Sequence, residues 1–151
     1  MIGMRSNYII VTVCLLVLSF VSTSLAAIDD DIVKILKRGP ANVSGFKGAT
    51  VVNTQSGEMI SSYFLDKKAA EKKQEIAAVV ANIVQEVQKD NKARGFKPMW
   101  MGMFLRNNAG RFFILFIDQD TYLGCLYATE SPLGLIKRQL RKSKKALIKV
   151  L

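Results

Sequence analysis

Histidine is missing from this chain altogether, and cysteine occurs only twice. Without histidine the chain lacks the commonest general base and the commonest metal ligand. Cys14 lies in an apolar run and Cys125 in a predicted strand, so the two cannot bridge within one folded domain. They give no reason to place the chain in an oxidising compartment. Cys125 is expected to be a small buried apolar residue. A phosphate loop, a nucleophile elbow and a cluster of metal ligands are all missing too. Asp118 and Asp120 are close enough to suggest paired carboxylates, but acids at such a spacing are far more often turn formers. The chain is therefore expected to be no enzyme and to use no cofactor and no metal. Proline occurs three times. Pro40, Pro98 and Pro132 each fall where an element should stop or start.

What is present is apolar and basic. Half of the 151 residues are hydrophobic, enough for a single core. The net charge is +10, and Arg5 is the only charged side chain before Asp29. A surplus of this kind suits acidic partners: an anionic lipid surface, an acidic protein face or nucleic acid.

Residues 1–28 form an apolar N-terminal segment. Tyr8–Val21 is uncharged, and with its extension through Ala27 it nears the length that crosses a bilayer as a helix. Ser24-Leu25-Ala26 offers small residues suited to a signal peptidase. A membrane anchor and a cleaved signal peptide both fit. Lys34, Lys37 and Arg38 after the segment outweigh Arg5 before it. That bias favours a membrane-anchored chain with a cytoplasmic domain over export after cleavage.

The remainder, residues 29–151, is read as one domain. Asp29–Asp31 open a helix with the stripe Ile32, Val33, Ile35 and Leu36, which Gly39-Pro40 stops. Lys47–Asn53 and Glu58–Phe64 flank a turn with Gly57 and predict a hairpin. Lys67–Asp90 carries Ile76, Val80, Ile83 and Val87 at helical spacing, widened by Val79 and Val84. A polar break with Gly95 and Pro98 leads into a third strand, Met99–Arg106. Arg111–Asp118 and Thr121–Thr129 form a second hairpin, and a helix runs from Pro132 to Leu151 on the stripe Leu133, Ile136, Leu140, Leu147 and Leu151. The order predicts an α/β (α+β) fold: a five-stranded antiparallel sheet with a long crossing helix and flanking terminal helices.

This pattern resembles the roadblock/dynein light chain domain family. The resemblance rests on Phe46–Val52 followed by Ser56–Ser62, and on Gly110-Arg111 with Ser131–Ile136 running into Arg138–Arg141. Longin-like and profilin-like scaffolds are the alternatives. Membership would imply a non-catalytic dimeric scaffold or adaptor, pairing with itself or a related roadblock-type subunit and binding or regulating a small Ras-like GTPase. It would place the dimer interface on Ile76, Val80, Ile83 and Val87 of the long helix and on Met99, Met101 and Met103 of the third strand. An uncovered strand this rich in methionine is a pairing hazard in its own right. Core packing within one subunit is the competing explanation for each of these residues.

The last helix carries Lys137, Arg138, Arg141, Lys142, Lys144, Lys145 and Lys149, and no acid follows Glu130. The helix dipole favours cations only in the last turn. An anionic-surface dock on Lys137, Arg138, Arg141, Lys142, Lys144 and Lys145 is expected, for a membrane or an acidic GTPase face; a plain solvated face is the alternative. Nucleic acid is poorly supported, because few aromatics interleave with the charges. Two other functions stay open: an exported small α/β binding protein and a basic lipid-binding module. The identity of the GTPase, homodimer against heterodimer, and activation against exchange or tethering are not written in the sequence.

Overall fold

Apolar residues one helical turn apart must find a surface to cover, and here that surface is a single sheet. A computed structural model describes residues 26–95, 101–106 and 110–151. A first helix, α1, covers residues 26–38 among the described residues. Asp29–Asp31 therefore sit within its turns instead of capping its start. Gly39 ends it and Pro40–Asn42 forms a short 3-10 turn. Strands β1 (Phe46–Asn53) and β2 (Met59–Phe64) make the first hairpin. Helices α2 (Lys67–Glu71) and α3 (Lys73–Ala93) follow. Then come β3 (Met101–Arg106), β4 (Gly110–Phe116), β5 (Thr121–Tyr127) and α4 (Leu133–Leu147).

The sheet has five strands in the order β2-β1-β5-β4-β3, and every neighbouring pair is antiparallel. The two hairpins meet in the middle through β1 and β5, so β2 and β3 are the edges. The passage from β2 to β3 therefore crosses the full width of the sheet. The run Lys67–Asp90, expected as one helix, breaks at Lys72. The Asp66 carboxylate caps α2 by accepting from the Ala69 amide at 3.0 Å. The Lys72 amide then turns back to the Ala69 and Ala70 carbonyls, which tightens the last turn and redirects the chain into α3.

Alternation along the strands divides the core in two. Phe113, Leu115 and Ile117 of the β4 segment, with Leu123, Cys125 and Tyr127 of β5, face α1 and α4. Ile32, Leu36, Ile136, Leu140 and Leu147 cover them. On the opposite face Val52, Ile114 and Tyr122 meet Ala77, Val80, Ala81 and Val84 of α3. The result is three layers: α1 and α4, the sheet, and α3. Leu151, expected in the α4 stripe, is exposed because the helix ends at Leu147. Ser143 is buried on that stripe instead.

The junction between β4 and α4 is held by residues distant in sequence. Gly110 has φ of +126° and lies against the Tyr127 carbonyl. Arg111 Nη1 donates to the Ser131 carbonyl at 2.9 Å. The Tyr127 hydroxyl donates to the Pro40 carbonyl at 3.1 Å, tying β5 to the end of α1.

Candidate functional site

The helical stripe read from the sequence splits into two adjacent faces on α3. Ala77, Val80, Ala81 and Val84 are buried against the sheet. Ile76, Ile83 and Val87 are only half-buried, and Val79 is 48% exposed. At 3.6 residues per turn these four form a shoulder beside the buried face. Val80 sits over Gly124 of β5: a Cβ on that glycine would lie 2.7 Å from Val80 Cγ2. A strand glycine here lets helix and sheet approach closely. Val80 is thus spent inside one subunit and offers nothing to a second. This corrects its assignment to an interface: the periodicity was right, but helix rotation puts Val80 on the inward half.

Two glutamines fix that rotation. The Gln85 amide donates to the Thr54 carbonyl at the end of β1, and Gln88 donates to the Tyr122 hydroxyl. Ile83 leaves the helix on nearly the opposite side from Gln85. Phe112 and Phe116 of β4, the strand next to edge strand β3, are also half-buried and pack with Ile83 against the same core cluster. Met99 lies outside the described residues. Met101 and Met103 are placed on β3 at register positions opposite Leu115 and Phe113. Among the described residues, the outer side of β3 pairs with no other strand.

The second feature is on the opposite layer. Lys137, Arg138, Arg141, Lys142 and Lys145 are exposed along one face of α4 and, with Gly134, line an open recess of about 500 Å³. Lys144 departs from this group. It lies over the Phe116 ring at 4.6 Å from its centroid, and partial burial lowers its pKa. Like charges four residues apart oppose the helix by roughly 0.2–0.5 kcal/mol per pair. Burial of Ile136, Leu140 and Leu147 contributes about 1.5–3 kcal/mol each, so the inner face holds the helix against its outer one.

Asp118 and Asp120 are occupied by their turn. Asp118 Oδ1 accepts from the amides of Asp120 and Thr121 at 3.2 and 3.0 Å, and Asp120 Oδ1 accepts from Gln55. Among the described residues no three histidine, cysteine or acidic side chains gather to hold a metal. Among them, no helix is long and apolar enough to cross a membrane; Tyr8–Val21 lies outside them.

No family model and no curated protein matches this chain by sequence. The fold does match solved structures. Myxococcus xanthus MglB is 17% identical, with a TM-score of 0.68 over 83% of this chain and 88% of that one. A Roadblock/LC7 domain from Streptomyces avermitilis is 15% identical, with a TM-score of 0.62 over 72% and 87%. MglB in a tetrameric arrangement gives 0.69 at 15% identity, over 82% and 90%. The chain has the roadblock/LC7 fold.

Proposed function

We propose that this protein is a non-catalytic scaffold that pairs with a second copy, or with a related subunit, through the α3 shoulder and the β3 edge. The paired form then docks a small Ras-like GTPase at a membrane surface. One observation carries the pairing. Apolar side chains of α3 are left half-exposed and the sheet ends in an open edge strand, in a fold shared with a protein solved in a tetrameric arrangement. Aliphatic groups arranged this way gain by burial, at roughly 25 cal/mol per Å² removed from water. An unpaired strand edge gains by accepting another strand. The GTPase rests on the family resemblance, and the reading as an adaptor fits carboxylates that are taken up in a turn.

The test is the mass of the full chain in detergent, measured by light scattering, for the wild type and for a Val79→Glu, Val87→Glu variant. Two copies are expected for the wild type and one for the variant, with the helical signal of both unchanged. A wild-type monomer at every concentration contradicts the pairing. For the GTPase, titration with GTP-loaded Ras-like proteins is expected to give saturable binding with no turnover by the scaffold itself. Absence of binding across such proteins removes that half of the proposal.

A further inference from the structure

The three longer helices, α1, α3 and α4, present charge to solvent differently. In α1 three acids, Asp29–Asp31, balance three bases, Lys34, Lys37 and Arg38, and Lys34 pairs with Asp31 at 3.0 Å. In α3 they are also mixed, and Arg94 pairs with Asp90 at 3.0 Å. In α4 every charged side chain is basic. Segregation to one helix does not follow from a general need for solubility, which interspersed charge meets equally well.

The geometry of that face narrows the partner. Lys137, Arg138, Arg141, Lys142 and Lys145 recur at steps of one, three and four residues and so share one side of the helix. They span roughly 12 Å at 1.5 Å per residue. Ile148, the C-cap three residues beyond Lys145, is 51% exposed, and Leu151, past the end of the helix, is 43% exposed. A row of cations ending in uncovered aliphatic side chains fits an interface where headgroups give way to acyl chains. It fits nucleic acid poorly: the exposed ends are aliphatic, with no ring for a base to stack on. The chain that enters α1 also carries the uncharged apolar run Tyr8–Val21, and α1 packs in the same layer as α4, against the same core.

We propose that the outer face of α4 docks on anionic phospholipid headgroups, with Ile148 and Leu151 entering the interfacial region. The domain then lies with its α1–α4 layer toward the bilayer and its α3 layer turned away. This orientation leaves the α3 shoulder open to a partner, but docking does not depend on that pairing.

The test places the full chain on phosphatidylcholine vesicles with and without phosphatidylserine. Lysines are then acylated briefly and the extent at each site is read by mass spectrometry. Lys137, Lys142 and Lys145 are expected to react several-fold more slowly on the anionic vesicles, and high salt should restore them. Lys73, Lys89 and Lys92 of α3 should react equally on both. An Arg138→Gln, Arg141→Gln variant, altered only at exposed positions, should lose most of the protection. Equal labelling of the α4 lysines on both vesicles overturns the proposal. So does protection by added RNA, or by an acidic protein, where phosphatidylserine gives none. The α3 lysines and the mass of the complex report pairing separately, so failure of one reading is distinguishable from failure of the other.

Discussion

Single residues set how closely the layers approach. Gly124 is the clearest case: a methyl there would meet both Val80 Cγ2 at 2.7 Å and Phe112 Cζ at 3.2 Å. Gly124→Ala should cost about 1–3 kcal/mol, as overpacking of a filled core does, read as a lower denaturation midpoint. Val80→Asp should abolish folding instead of merely separating subunits, since it buries a carboxylate with no partner. Two buried acids give a pH signature. Burial pushes the Cys125 thiol and the Tyr127 phenol well above their ordinary values of 9.0 and 10.0. Both groups stay neutral in the folded chain after the unfolded chain has begun to ionise. Their contribution is complete below those ordinary values and is lost as pH rises above them. Stability to denaturant should therefore fall above about pH 9, and Tyr127→Phe should flatten the upper part of the fall. With no histidine to titrate, no histidine-dependent step should appear between about pH 5 and 8. Little at this scale was legible beforehand. Cys125 was expected to be buried and is. By contrast, the close packing at Gly124, the tie from Arg111 to Ser131 and the burial of Ser143 join residues far apart in sequence, and no local pattern announces them.

Elements were more legible than their rotation about their own axes. Five strands, the crossing helix and the terminal helices follow from alternation of two and periods near 3.6. The break at Lys72 does not, because a side-chain cap at Asp66 and a tightened turn leave the periodicity intact. A wide apolar stripe on α3 announces an amphipathic helix but not which half faces the sheet. That is decided by Gln85 and Gln88 reaching Thr54 and Tyr122, contacts made only once the sheet exists. Ile76, Val79, Ile83 and Val87 are what remains outside. Val79→Glu alone should change the stability of one subunit by no more than about 0.5 kcal/mol while weakening association. Lys144 illustrates the same limit on α4: its charge belongs to the basic run, but its side chain lies over Phe116 and not on the exposed basic face.

For the whole molecule, the sheet separates two surfaces. Its α1–α4 side carries the basic face, and its α3 side carries the apolar shoulder. The order of the strands makes this separation, because β2 and β3 lie at opposite edges and α3 must span the distance between them. Pairing of two copies about a twofold axis would bring like positions near the middle of the α3 shoulder together. The most direct measurement is disulfide cross-linking of the full chain in a Cys14→Ser background, with Cys125 kept because it is buried. Val79→Cys and Ile83→Cys, in the middle of the shoulder, should give a covalent dimer under mild oxidation. Ala78→Cys, exposed on another side of the same helix, should stay monomeric. Monomer at all three positions, or a dimer that forms equally at Ala78, would contradict pairing through this face.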